Sequence, residues 1–487
     1  MDSALARPAQ AAHYGDTDLA EQAATLIWGI AENQAFIDGN KRLALVVTLT
    51  FLEENGYRRG FRTPPPATSA TRVTKRVVIV GGGFGGLHLV RHLEKRLRGG
   101  EAEVTLVDRS NYSLFTPLLY QVATGELPPH AVAYPLRVPL AKAGFRFLRT
   151  EVQAIDVEKK AVRTEDGEIA YDILVVALGS VTNDFGIPGV KEHALVVKWL
   201  EDGRAVRHRI LSTFEDAALV GDAGRRREQL SFAIVGAGPV GVELAASMRD
   251  LMDHTLRGIY PSIDVRHEPS ITLIDGADRV VPAMDPRLSA ISQRRLEQLG
   301  VRIMLKTLVS EVGDRSLRTK DGRTLTANTV IWAGGVKTNP IVTAIDLPHA
   351  KDDRLIVDAS FRAGGRDDVL ALGDAAHFEQ DGKPLPMLAQ VAVLEAPAAA
   401  ANVVRLVRGE PTQPYIYRRK GDLVALGRTS AAAEFARPVH FVLSGLPAWT
   451  VWRTNYLMQL VGARNRGTLL VEWLLSYFSR RIVADIT

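Results

Sequence analysis

The chain has 487 residues, 46% hydrophobic and 24% charged, a globular balance that leaves room for about three domains of roughly 100 to 200 residues each. It contains no cysteine, which excludes disulfides, cysteine-ligated metals and thiol electron relays. The net charge of +5 is too small to point to nucleic acid, so no nucleic-acid partner is expected; no metal site is expected either.

Residues 1–60 read as helical. Leu19, Ala23, Leu26 and Ile27 recur at helical spacing, and a second helix is expected from Lys41 to Glu54 after Asp38-Gly39-Asn40. No apolar stretch follows a basic start, so no secretory signal is expected. No run of 18 apolar residues exists, so no membrane-spanning helix is expected. Residues 61–74, with Pro64-Pro65-Pro66, read as a linker.

From Arg76 the pattern changes. Val77-Val78-Ile79-Val80 is a short β-branched run of the kind buried in a parallel sheet, and it leads directly into glycines. Gly81, Gly83 and Gly86 form a G-x-G-x-x-G, followed by a helix-like segment and a strand ending in Asp108. The first glycine permits a tight turn, the second lets a pyrophosphate approach the backbone, and the third lets helix pack on strand. The helix start offers free N–H groups to phosphates, and Asp108 can bond ribose hydroxyls. The event repeats after Phe232-Ala233-Ile234-Val235, at Gly236, Gly238 and Gly241. Its acid is Asp275, displaced along the chain by an insertion over 255–269. An acid there repels a 2′-phosphate and favours NADH over NADPH. Alternating strands and helices around the two loops predict an α/β fold with two Rossmann-like dinucleotide-binding domains. Two such domains in one chain fit hydride transfer from a nicotinamide to a flavin.

Several further segments resemble the type II NADH:quinone oxidoreductases. They are Asn111-Tyr112-Ser113-Leu114-Phe115-Thr116-Pro117-Leu118-Leu119-Tyr120-Gln121, Ala177-Leu178-Gly179, Trp332-Ala333-Gly334-Gly335, Leu372-Gly373-Asp374 and Pro386-Met387-Leu388-Ala389-Gln390-Val391-Ala392, in that order. The resemblance implies an FAD domain over 75–190 and 333–405, with an NADH domain over 191–332 inserted in it. It further implies a C-terminal region over 406–487 carrying amphipathic membrane-surface helices. By the same resemblance, Gly81, Gly83, Gly86, Asp108, Gly373, Asp374, Ala389 and Gln390 hold FAD, while Gly236, Gly238, Gly241, Glu243 and Asp275 hold NADH. Gln390, by the flavin where a quinone docks, and Glu243, near the nicotinamide and able to handle protons, are the expected catalytic residues. The implied activity is oxidation of NADH and two-electron reduction of a membrane quinone without proton pumping, by a homodimer. One departure stands out: the family carries a second glutamine where this chain has Leu394, which cannot bond a quinone carbonyl.

The C-terminal tail mixes large apolar and basic residues. Trp449, Trp452, Arg453, Trp473, Arg480 and Arg481 are expected to meet an anionic lipid surface, peripherally and on the cytoplasmic face of the cell membrane. This argues against the alternative of a soluble NADH-dependent flavoprotein passing electrons to ferredoxin, rubredoxin or oxygen. Sulfide:quinone reductases share the fold but need cysteines, which this chain lacks. Gln34-Ala35-Phe36-Ile37-Asp38-Gly39-Asn40-Lys41-Arg42 resembles the Fic/Doc motif, with Gln34 where that family has its histidine base. An amide cannot accept the proton. The segment therefore reads as an inactive Doc-like fragment or an upstream gene-start artefact, the alternative being a toxin-related nucleotide-binding module fused to an oxidoreductase.

Overall fold

The computed structural model describes residues 74–436 and 440–478. The helical segment expected over 1–60, the linker up to residue 73, and Arg480 and Arg481 lie outside the described residues.

The strand Lys75–Val80 takes the centre of a five-stranded parallel sheet, in the order Val369–Ala371, Ile173–Val176, Lys75–Val80, Ala102–Asp108, Arg146–Arg149. Val77, Ile79 and Val80 are fully buried, which is why this strand shows no polar alternation. A second parallel sheet has the same form: Ala194–Val196, Thr329–Trp332, Ser231–Val235, Ser270–Ile274, Arg302–Met304. Each half also carries a three-stranded antiparallel meander, Val152–Asp156 to Ala170 in the first and Val309–Gly313 to Thr326 in the second. The crossing strands Ser180–Thr182 and Val336–Thr338 pair antiparallel, so the chain leaves the first half and returns to it side by side. The returning chain supplies the strand Val369–Ala371 and the helix Ala389–Arg408, which packs along the helix Phe84–Glu94.

Helix Ala389–Arg408 is long and apolar enough to cross a bilayer, yet half of it is buried. It carries buried Glu395 and Asn402, and the Asn402 amide donates to the carbonyls of Ser360 and Gln413. It is a core helix of the first half.

The C-terminal part is a three-stranded antiparallel sheet, Leu423–Ala425, Ala431–Phe435 and Phe441–Ser444, followed by the helices Gly445–Gln459 and Ala463–Phe478. Here the structure corrects an expectation. Trp452 is 1% exposed and Trp473 3% exposed, both in one hydrophobic cluster with Phe232 and Leu244 of the second half. They anchor the tail to the protein and do not face lipid. Arg453 is likewise turned inward: its guanidinium lies 4.4 Å from the Trp449 ring and 4.5 Å from the Trp473 ring, and pairs with Glu126 at 3.3 Å. The last helix carries apolar residues on two sides. Leu469 and Trp473 face in, whereas Leu470, Val471, Leu474 and Leu475 are exposed. The exposed residues form two i, i+4 pairs and so one stripe.

Candidate functional site

The two glycine loops are built alike. Gly81 has φ +103°, and a Cβ there would fall 2.2 Å from the Ala177 carbonyl oxygen. Gly236 has φ +109°, with its Cβ position 2.3 Å from the Ala333 oxygen. A Cβ on Gly86 would lie 1.8 Å from the Gly81 oxygen, and one on Gly241 would lie 1.9 Å from the Gly236 oxygen. These four glycines are therefore fixed by the protein's own packing. Gly83 and Gly238 differ, because a Cβ on either meets nothing within 4 Å. No protein atom demands a glycine there, and the backbone at both positions is left open to approach from outside.

The helices Phe84–Glu94 and Pro239–His254 start at these open glycines, with no side-chain cap and no acid in the first turn. Their uncapped N–H groups are the kind of donors that can hold an anion. Asp108 closes the first loop: its Oδ2 accepts the Gly82 N–H at 2.6 Å and its Oδ1 the Ser110 N–H at 2.7 Å. Asp275 closes the second, Oδ2 accepting from Ala237 N at 2.5 Å and Oδ1 from Ala277 N at 2.7 Å. A carboxylate has about four acceptor positions, so each acid retains capacity for a ribose diol. Burial pushes the Asp108 carboxyl up, against the two backbone N–H bonds that lower it.

The Gly373-Asp374 turn sits against the first loop. Leu372 Cδ1 lies 3.2 Å from where a Cβ on Gly85 would be. Gly373 has φ +65° and donates its N–H to Glu395 Oε2 at 2.7 Å. Burial pushes Glu395 up to about 7, the Gly373 bond opposing it and the nearby Asp374 charge adding to it. Asp374 Oδ2 accepts from Ser180 Oγ at 2.5 Å, and Ser180 Oγ accepts in turn from Lys198 Nζ at 2.9 Å.

Ala389 and Gln390 open the helix Ala389–Arg408. Gln390 Nε2 donates to the Gly421 carbonyl at 3.2 Å, and the Tyr417 hydroxyl donates to Gln390 Oε1 at 3.3 Å. Both faces of this amide are thus held. Glu243 lies in the second turn of its helix, 5% exposed, with Oε1 accepting the Ala425 N–H at 3.0 Å. Burial pushes it up to about 8, so it is protonated at neutral pH. The short stretch from Gly421 to Ala425 therefore touches both expected catalytic residues, one at each end. Beside it lies a small enclosed cavity lined by Tyr120, Gln121, Ser247, Trp452 and Arg453, near the lower size limit for one water.

Sequence reasoning missed Lys198, Ser180, Glu395 and Tyr417. None carries a local motif: Ser180 meets Asp374 across 194 residues, and the remaining links span 18, 22 and 27 residues. Glu395 alone had a signal nearby, in the neighbouring departure at Leu394. Trp452 and Arg453 line the inner cavity and Trp473 backs the Arg453 guanidinium, a different role from the lipid contact expected of them.

Comparison with known proteins agrees with this geometry. A family model described as pyridine nucleotide-disulphide oxidoreductase matches residues 75–396, and a Fic/DOC family model matches residues 1–52. The chain is 34% identical to a type II NADH:quinone oxidoreductase of Mycobacterium tuberculosis, over 83% of this chain and 89% of that protein. It is 32% identical to one of Haemophilus influenzae, over 73% of this chain and 86% of that protein. Among solved structures, NDH2 from Plasmodium falciparum in complex with NADH superposes with a TM-score of 0.77 at 20% identity, covering 84% of this chain and all of that one. That likeness is one of fold.

Proposed function

The chain belongs to the type II NADH:quinone oxidoreductases, within the pyridine nucleotide-disulphide oxidoreductase family, and on that premise we propose how its residues divide the work. The protein binds FAD and NADH, oxidises NADH and reduces a quinone, and it associates with membranes. The observation that carries the assignment of residues is the pair of open glycines, Gly83 and Gly238. Each sits at an uncapped helix start beside an acid whose two oxygens are already aimed by backbone N–H groups.

In this reading Gly81, Gly83, Gly86 and Asp108 hold the ADP half of FAD. Gly373, Asp374, Ala389 and Gln390 hold its other half. Bound by these residues, FAD would supply the two-electron hydride chemistry between NADH and the quinone. Gly236, Gly238, Gly241 and Asp275 hold NADH, and Asp275 disfavours a 2′-phosphate at the ribose. Oxidation of NADH yields two electrons and one proton, whereas reduction of a quinone consumes two electrons and two protons. One proton must therefore enter from water in each turnover. Glu243, buried and protonated at neutral pH, is the group that holds it, and Gln390 orients the quinone head by its fixed amide. Leu394 offers the quinone no hydrogen bond, so Gln390 carries that task without a second amide.

The lipid contact belongs to the exposed apolar residues Leu446, Met458, Leu470, Val471, Leu474 and Leu475, the last four from one helix stripe. The surface is anionic and cytoplasmic in this reading, supported by the basic residues of the same tail. A homodimer belongs to the same reading.

The test uses purified, FAD-loaded protein with anionic vesicles containing a lipid-soluble quinone. Expected are vesicle binding and NADH consumption that depends on the quinone. Full activity with ferredoxin or oxygen and no vesicle binding would instead favour the soluble reductase.

A further inference from the structure

Lys198 is a half-buried charge that the nucleotide loops do not account for. It follows the strand Ala194–Val196, the first strand of the second sheet, and precedes the helix Leu200–Ala218. Its backbone is pinned: the Asp202 carboxylate accepts the N–H of Lys198 at 2.9 Å and that of Trp199 at 2.6 Å. Its side chain then leaves the second half. Nζ donates to Ser180 Oγ at 2.9 Å, in the crossing strand Ser180–Thr182, and Ser180 donates to Asp374 at 2.5 Å, in the returning segment of the first half. Two hydrogen bonds thus join two segments 18 residues apart to a third lying 194 residues from Ser180.

Even a half-buried ammonium is costly unless an opposite charge and hydrogen bonds compensate it. Burial pushes Lys198 down, and the Asp374 charge opposes that. The compensation is local and specific: one carboxylate, reached through one hydroxyl. A half-buried lysine serving only the local fold would pair with Asp202, which sits one turn away but binds its backbone instead.

We propose that Lys198 is a positioning residue for FAD: through Ser180 it orients Asp374 toward the flavin's sugar-alcohol chain, and it places a compensating positive charge under the site. Because it comes from the NADH-binding half, it also ties that half to the flavin side. The proposal rests on Asp374 being an FAD ligand. Its cation opposes the excess negative charge that arrives with two electrons, so Lys198 favours the reduced form of the bound flavin.

The experiment compares Lys198→Met, Lys198→Arg, Ser180→Ala and Asp374→Asn in the full chain. FAD affinity is measured by titrating the apoprotein, and the midpoint potential of bound flavin by spectroscopic redox titration. Lys198→Met is expected to weaken FAD binding about tenfold to a hundredfold, the range for losing a charged hydrogen-bond partner. A tenfold larger loss for reduced than for oxidised flavin would lower the two-electron midpoint by about 30 mV. Lys198→Arg keeps the charge and is expected to restore the potential. Ser180→Ala cuts the link but keeps the charge, so affinity falls several-fold while the potential holds. Lys198→Met with wild-type melting, affinity and potential overturns the proposal. If that variant does not fold, Ser180→Ala with wild-type affinity overturns it. Asp374→Asn separates the two claims. Unchanged FAD binding there sinks the Asp374 assignment, whereas weakened binding there with no effect at Lys198 sinks only the lysine's role.

Discussion

Replacing Glu243 with glutamine removes one buried titration, and its effect is calculable. The carboxyl rises from 4.5 to about 8 on folding because burial disfavours its charged form. Each tenfold change in an ionisation equilibrium is worth about 1.4 kcal/mol, which sets an upper bound on the order of 5 kcal/mol for the cost of ionising it in place. The sign follows from proton counting. Between about 4.5 and 8 the folded protein holds this proton and the unfolded chain has lost it. Stability must therefore fall as pH rises through that window, and the full cost applies above it. Glu243→Gln stays neutral, so its advantage over the native protein is absent near pH 4, grows across the window and levels off above pH 8. Glu395, pushed up to about 7, contributes in the same sense in both proteins and cancels in the difference. The assay is the melting midpoint from mildly acidic to alkaline pH for both proteins, with NADH:quinone turnover measured on the same samples. Turnover is expected to drop about a hundredfold, the lower end of the usual range for a lost acid–base group. Parallel melting curves across the whole range would refute the picture of Glu243 as a proton-holding buried acid.

Other substitutions separate packing from ligand binding. Gly86→Ala places a Cβ 1.8 Å from the Gly81 oxygen and is expected to abolish folding of the first loop, seen as loss of soluble protein. Gly83→Ala meets no protein atom, so melting of the apoprotein should be unchanged while FAD affinity falls, read by titration. Asp275→Ser is expected to narrow the preference for NADH over NADPH at least tenfold in kcat/KM, since it removes about 1.4 kcal/mol or more of repulsion at the 2′-position. Trp473→Ala, at a 3% exposed site, is expected to destabilise by about 3–5 kcal/mol in denaturant unfolding. Leu474→Asp, at a 59% exposed site, should leave melting unchanged and weaken vesicle binding.

The nucleotide halves were legible because their signals are local. Val77–Val80 and Phe232–Val235 are β-branched or apolar runs buried on both faces, and each ends at a glycine that no other residue can replace. Asp275 was found despite its insertion because it still ends the neighbouring strand, Ser270–Ile274. The insertion itself packs Leu256, Tyr260 and Ile263 into the core, which its sequence position did not reveal. The tail was read correctly as apolar and basic but with the wrong face outward. Helix Ala463–Phe478 has two apolar stripes, and tryptophan, the larger of the available residues, went to the inner one. Burying its large surface gains more than burying Leu470 or Leu474. The polar links were illegible for a different reason. Ser180 and Asp374 are separated by 194 residues, and Glu243 and Ala425 by 182, so only the folded chain brings them together.

The decisive measurement is an anaerobic titration of the purified, FAD-loaded protein with NADH, followed by a water-soluble quinone analogue, while flavin absorbance is recorded. Bleaching by about one NADH per flavin and recovery on adding the quinone are expected from two nucleotide loops in one chain. A protein that takes up no FAD, or whose flavin stays oxidised under NADH, would contradict the central assignment.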